Sequence, residues 1–260
     1  MREGRSSSYK NGMTEDGNFQ FHNQPFRFGT KELEGLRVFF QEPQRLPASM
    51  AEIAAGGVGN CISCHAAPNF TDFRFHNTGT TQIEYDSVHG AGSFSGLAIP
   101  DLQTRNSNHN AYLPATDRHP LALEPFRSIP SLTSRSLTDL GAWNIFANPD
   151  FPKPQPFLYI IFCQQFASTP FECTPSALLP KTIGVFKTPG LRDLSHSAPY
   201  MHTGQFDTLE DIIAFYRTTS DMTRAGVLRN GARELSGIAL KSSDIGNLAA
   251  FLRSLNEDYE

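Results

Sequence analysis

Two cysteines and a histidine in the run CISCH are the residues of this sequence best suited to chemistry. Cys61 and Cys64 are separated by two residues, and His65 follows directly. Two thiols at this spacing can form thioether bonds to the vinyl groups of haem, and the adjacent imidazole then lies under the iron. A CxxC pair also serves zinc binding or dithiol chemistry, but His65 and the lack of a second such pair weaken that interpretation. The motif therefore predicts one covalent haem c per chain, with His65 as an axial iron ligand.

The other two cysteines, Cys163 and Cys173, lie ten residues apart. Haem attachment to CxxCH takes place outside the cytoplasm, where oxidising conditions favour a disulfide. We expect these cysteines to be bonded, although the sequence alone leaves two buried free thiols open.

Helices are predicted on both sides of the motif along the chain. Apolar residues between Leu33 and Phe40 indicate a helix that begins at Thr30 and ends before Pro43. Ser49 and Glu52 form a capping box that opens a second, short helix. The haem motif follows this helix after a group of glycines, so we expect it to lie on a tight turn.

Two amphipathic helices are predicted near the C-terminal end. Thr208 begins the first, whose apolar face consists of Leu209, Ile212, Ile213 and Tyr216. Ser243 begins the second, whose apolar stripe consists of Ile245, Leu248, Leu252 and Leu255.

Residues 87–180 are rich in Gly, Ser, Asn and Pro and predict a long, mostly irregular insertion. Two segments within it have helical patterns. One opens at Ser136 and covers Leu140 to Phe146; the other, Phe157 to Phe166, is either a helix or a buried strand. The fold class is mainly α, without a convincing sheet. We expect a flexible arm over residues 1–28 and one domain over residues 29–260.

Charge and hydropathy exclude several classes of partner. The net charge is −4 without a basic block, so neither nucleic acid nor an anionic membrane is expected to bind. No apolar run approaches the roughly 20 residues of a membrane-spanning helix. The first residues lack the apolar core of a signal peptide. Since haem c is attached outside the cytoplasm, either an export signal has been lost from this sequence or the chain is a fragment of a longer protein. We expect the fragment, located in the periplasm.

Two stretches of the sequence carry a family resemblance. The first is GLRVFF followed by CISCHAAPNFTDFRFHNTG, and the second is FKTPGLRDLSHSAPYMHTGQFDTLEDIIAFY. Together they resemble the bacterial di-haem cytochrome c peroxidase family, including its MauG-like branch. The resemblance implies a cytochrome c-like haem domain in which the first and last helices cross beside the haem.

The matched stretches belong to the C-terminal domain of that family. Its members have two haem domains, of which the N-terminal one reacts with peroxide and the C-terminal one receives or stores electrons. Only one CxxCH is present here. The resemblance therefore implies electron transfer to or from a second haem domain or a redox partner. Whether this chain alone is an enzyme stays open, and we expect poor peroxidase activity.

The resemblance also suggests the second iron ligand. Classical peroxidases of the family supply Met at this position and the MauG-like branch supplies Tyr; the matching residue here is Tyr216. A core tyrosine that hydrogen-bonds the backbone is the alternative. Met201, His202 and Met222 are rival ligands, and His202 matches a family histidine near the haem edge, which indicates an electron-path or propionate contact.

Ser197 and Pro199 match positions whose backbone carbonyls bind calcium in the family, a cation that prefers oxygen ligands. An ordinary loop turn is an equally good interpretation. The remaining histidines are expected to be surface or structural residues: His22, His76, His89, His109, His119 and His196.

Two other functions stay open at this point. One is a stand-alone mono-haem electron carrier. The other is a haem-based module that binds a small ligand at a five-coordinate iron.

Overall fold

The computed structural model describes residues 28–256, which are mainly helical, as predicted. The helices, numbered α1 to α9 in chain order, are Thr30–Phe40, Met50–Ala55, Thr80–His89, Leu102–Ser107, His109–Tyr112, Gln155–Phe166, Pro175–Leu178, Leu209–Arg224 and Ser242–Arg253. Strands β1 (Phe75–His76) and β2 (Phe186–Lys187) pair antiparallel, with Phe75 opposite Lys187. The predicted arm, apart from Phe28, lies outside the described residues.

The first two helices begin where the sequence predicts. At α1, the Glu32 carboxylate accepts a hydrogen bond from the Gly29 N–H at 2.9 Å. At α2, the Ser49 hydroxyl accepts from the Glu52 N–H, and the Glu52 carboxylate accepts from the Ser49 N–H at 2.8 Å. Both caps satisfy N–H groups that a helix start leaves without intrahelical partners.

Helices α1 and α9 pack closely through a glycine. A Cβ atom at Gly35 would lie 1.9 Å from the Asn247 carbonyl oxygen, so only glycine permits this approach. The rings of Phe39 and Phe251 meet beside it with centroids 5.2 Å apart. The first and last helices are therefore in contact, as the family resemblance implied; the cytochrome c-like assignment itself stays a prediction.

Helix α8 begins at Leu209, one residue after the predicted start at Thr208. The Thr208 hydroxyl accepts from the Asp211 N–H at 3.1 Å. Leu209 and Ile213 are buried as predicted, and Phe215 is buried with them, whereas Tyr216 is half-buried. One apolar side of α8 thus enters the same core as α1 and α9.

The described chain divides into two compact units. The first comprises residues up to Asp72, Pro189–Asp221 and residues from Arg233 onward. The second comprises Phe73–Thr188 and Met222–Ala232. The predicted division into an arm and one domain over residues 29–260 stays a prediction beside this grouping.

The second unit contains most of the predicted irregular insertion and has its own aromatic core. Trp143 is fully buried there, with Leu140, Phe146 and Phe162 around it. Arg105 is also fully buried, donates to the backbone carbonyls of Trp143 and Phe146, and lies over the Trp143 ring at 4.9 Å. The insertion is therefore a packed structure of short helices and loops.

The helix predicted from Ser136 is wrong, since only a 3-10 turn forms, over Ala142–Asn144. Gly141 precedes it at φ +59°, and a Cβ there would lie 2.4 Å from the Val185 carbonyl oxygen. The Ala142 N–H donates to that same carbonyl at 2.8 Å. This distant backbone contact, which only glycine allows, replaces the helical hydrogen bonds.

The second candidate segment forms helix α6 rather than a strand. Phe162 on this helix is fully buried, while Phe157 and Ile160 are exposed. Cys163 near its end forms a disulfide with Cys173, with their Cα atoms 5.1 Å apart, which confirms the predicted pairing.

Within residues 28–256, none of the helices has both the length and the apolar character needed to cross a membrane.

Candidate haem site

The CISCH motif lies on a tight turn in the first unit. Cys61–Ser63 form a 3-10 turn, and the Cys61 carbonyl accepts from the Cys64 N–H at 3.2 Å and the His65 N–H at 2.8 Å. This winding brings the two thiols and the imidazole onto one short piece of backbone. All three side chains are half-buried.

The turn is attached to the end of helix α1. The Gly59 N–H donates to the Val38 carbonyl and the Asn60 N–H to the Gln41 carbonyl, each at 2.9 Å. The Asn60 side chain donates to the Glu234 carbonyl at 2.8 Å. The motif is thus fixed on both sides by backbone groups.

The His65 ring is oriented by its own loop. Its Nδ1 lies 2.9 Å from the Phe70 carbonyl oxygen, which can only accept, so the proton is on Nδ1. The lone pair is therefore on Nε2, as metal ligation by an imidazole requires. Sequence reasoning missed Phe70, because a backbone carbonyl has no side-chain signature.

The surroundings of both motif cysteines favour the neutral thiol. Burial raises the pKa of Cys61 and of Cys64 to about 12, and the Glu234 and Asp72 carboxylates add to the effect at Cys64. Zinc ligation and dithiol exchange both need thiolates, which a lowered pKa favours.

Tyr216 lies on α8 within electrostatic reach of the two thiols. Burial raises the pKa of its phenol, and the neighbouring Cys64 and Cys61 raise it further. Among residues 28–256 its hydroxyl has no hydrogen-bond partner. This differs from the ordinary fate of a core tyrosine, whose hydroxyl finds a partner. Two thiols, an imidazole and a phenol in this arrangement fit the groups that haem c needs.

The rival ligands are in less favourable surroundings. His202 is exposed, and Met201 is half-buried in a loop at φ +68°. Met222 could replace Tyr216 only if the helix ended before it, and α8 continues to Arg224. Six residues after Tyr216, Met222 points about 240° around the helix axis from it.

The proposed calcium ligands Ser197 and Pro199 are exposed and follow a 3-10 turn at Leu194–His196. Calcium binding at their carbonyls stays a prediction.

Most other histidines make local structural contacts. The His89 ring stacks on Tyr85 with centroids 3.9 Å apart, and its Nδ1 lies 3.0 Å from the Tyr85 carbonyl. His196 Nδ1 lies 2.8 Å from an Asp193 carboxylate oxygen. His76 belongs to β1, and His22 lies outside the described residues.

His109, His119 and Asp150 form a cluster in the second unit that sequence reasoning missed. The two imidazole rings stack with centroids 3.8 Å apart and 13° between their planes. A ring nitrogen directs its lone pair in the ring plane, so two stacked rings cannot both point at one ion. Asp150 instead accepts hydrogen bonds from the Thr116 hydroxyl and, at 2.8 Å, from His119 Nδ1. A guanidinium nitrogen of Arg118 lies 3.4 Å from the other carboxylate oxygen of Asp150. The hydrogen bond from Thr116, followed by that from His119, lowers the pKa of Asp150 to about 2.

Parts of the chain are similar to proteins named cytochrome-c peroxidase. Over 78 residues, 30% of this chain, it is 40% identical to cytochrome-c peroxidase IdrP2 of Pseudomonas sp. (strain SCT), and the match covers 19% of that protein. Over 77 residues it is 34% identical to cytochrome-c peroxidase IdrP1 of Denitromonas iodatirespirans, again with 19% of that protein covered. A longer match, 25% identical over 201 residues, covers 77% of this chain and 37% of cytochrome-c peroxidase IdrP2 of Denitromonas iodatirespirans.

The chain thus spans between about a fifth and just over a third of the length of these relatives. No family model matches it. The comparisons support a cytochrome c peroxidase-like protein; the MauG-like branch and the C-terminal haem domain stay predictions.

Proposed function

We propose that this chain is a c-type haem electron-transfer domain of a di-haem cytochrome c peroxidase or MauG-like oxidoreductase. It exchanges electrons with a second, peroxide-reacting haem or with a redox partner, in the periplasm. The observation that carries the proposal is that the turn holding Cys61, Cys64 and the oriented His65 imidazole has the Tyr216 phenol within electrostatic reach of both thiols. The similarity to cytochrome-c peroxidases supports it independently.

Each residue has a distinct role in this proposal. Cys61 and Cys64 would hold the haem by thioether bonds, and His65 Nε2 and the Tyr216 oxygen would be the ligands of its iron. The haem supplies one-electron redox chemistry. The Phe70 carbonyl strengthens the imidazole as a donor by accepting its Nδ1 proton.

Tyr216 ligates as the phenolate, an anion that favours ferric iron and a low potential. Since its surroundings raise the phenol pKa, the cation at the iron must offset this cost. The same cost favours a second candidate function, in which the phenol stays protonated and the iron is open to a small ligand. A ferrous carbon monoxide adduct that forms readily would support that module; slow or absent binding would support six-coordinate electron transfer.

The test of the main proposal is covalent haem attachment. Protein exported through a haem-attachment system is expected to keep its haem through denaturation and acid-acetone extraction. The double variant Cys61→Ala, Cys64→Ala should release it, whereas the matched pair Cys163→Ala, Cys173→Ala should retain it. Extractable haem in the unmodified chain would contradict the proposal. Fast turnover of hydrogen peroxide by this chain alone would contradict its role as the electron-transfer partner.

A further inference from the structure

The carbonyl that orients His65 lies at a backbone position that needs support. Phe70 is at φ +51°, a left-handed conformation that phenylalanine rarely adopts. Its ring is buried, with Phe39 at 5.7 Å and Phe251 at 6.3 Å between centroids. These contacts fix the ring, whereas Pro68 and Asn69, directly before it, are exposed.

Arg192 holds this exposed segment. Its Nε donates to the Pro68 carbonyl at 3.1 Å, and its guanidinium carbon lies 5.5 Å from the Phe70 ring centroid. The chain just before it also packs on the loop, since a Cβ at Gly190 would lie 3.2 Å from the Asn69 carbonyl oxygen. The exposed side chain of Arg192 thus contacts the loop at Pro68 and at Phe70, on both sides of Asn69.

We infer that Arg192 is a positioning residue for the iron ligand His65. By holding the Pro68 carbonyl and the Phe70 ring, it keeps the Phe70 carbonyl on the His65 Nδ1 proton and so sets the donor strength of the imidazole. The inference rests on the proposed function, because it requires His65 to ligate haem.

The direction in which the midpoint potential of the haem shifts distinguishes positioning by Arg192 from a simple effect of its charge. Removing a positive charge near haem favours the ferric form and lowers the midpoint potential. Loosening the Nδ1–H hydrogen bond makes His65 a weaker donor, which favours the ferrous form and raises the potential. Positioning by Arg192 and its bare charge therefore predict opposite shifts.

The experiment compares three variants of the haem-loaded chain. Arg192→Met removes the charge and the donor but keeps an unbranched stem over Phe70. Arg192→Lys keeps the charge and a donor that can reach Pro68. Arg233→Met removes a charge that does not contact the loop, from a side chain that is 83% exposed and lies 3.8 Å from the carboxylate of Glu234, which acts on Cys64.

We expect the midpoint potential to rise in Arg192→Met, to stay near the original in Arg192→Lys, and to fall in Arg233→Met. Solvent exchange of the His65 Nδ1 proton, followed by NMR, should be about fivefold faster in Arg192→Met, as for one lost hydrogen bond. A potential that falls in Arg192→Met, or an unchanged exchange rate, would overturn the inference. Absence of a histidine-ligated haem signal in the unmodified chain would overturn the proposed function itself, before any variant is compared.

Discussion

Replacing Gly35 by alanine tests the packing of the first and last helices. The added Cβ would overlap the Asn247 carbonyl oxygen at 1.9 Å, and Asn247 C and Phe251 Cβ lie within 2.8 Å. Side chains essentially never approach closer than 3.0 Å, so the helices must separate by about 1 Å or more. The obstacle is backbone, which cannot rotate away as a flexible side chain could.

The expected cost follows from these contacts. Overpacking in a well-packed core costs about 1–3 kcal/mol, and the upper end applies where backbone obstructs. Alanine recovers about 1 kcal/mol over glycine through helix propensity. We therefore expect Gly35→Ala to lower the free energy of unfolding by about 2 kcal/mol, measured by urea denaturation with circular dichroism and haem absorbance.

Gly246→Ala is the matched control, because it lies on α9 with no atom within 4 Å of its added Cβ. It should gain stability by up to about 1 kcal/mol through helix propensity alone. If Gly35→Ala were neutral or stabilising like Gly246→Ala, the close approach of α1 and α9 would be wrong.

Three other predictions concern separate parts of the molecule. Tyr216→Phe should change the coordination seen in the ferric spectrum and raise the potential while the fold survives; Tyr200→Phe, whose hydroxyl donates to a backbone carbonyl, should leave the spectrum unchanged. Because folding lowers the pKa of Asp150 from 3.8 to about 2, the ionised carboxylate stabilises the fold at pH values above 3.8. This contribution to the free energy of unfolding is lost as the pH falls toward 2. The stability gap between the original and Asp150→Asn should therefore narrow over that range, and a constant gap would contradict the assignment. Reducing the disulfide between Cys163 and Cys173 should cost roughly 2–3 kcal/mol, as its ten-residue loop implies, and no change with reductant would refute that value.

The helices that the sequence predicts well are those with local signals. Ser49 and Glu52 specify the start of α2 through their own side chains, and the apolar spacing after Thr208 specifies α8. Haem attachment is likewise proposed from adjacent residues. These patterns need no knowledge of distant contacts.

Distant contacts explain what the sequence did not reveal. Helix α3 has a polar buried face, because the Gln82 amide donates to the Val227 carbonyl and accepts from the Arg229 N–H. Such a face lacks the apolar periodicity that identifies helices. The short turn after Gly141 depends on Val185, and the hydrogen bond to His65 depends on the Phe70 backbone. None of these partners is visible in a local window.

The packing of α1 against α9 also constrains the order of events as the chain is made. Synthesis runs from the N-terminus, so the CISCH turn emerges long before α9 can pack on α1. The first unit cannot complete its core until the end of the described chain is available, whereas residues 73–188 of the second can assemble earlier.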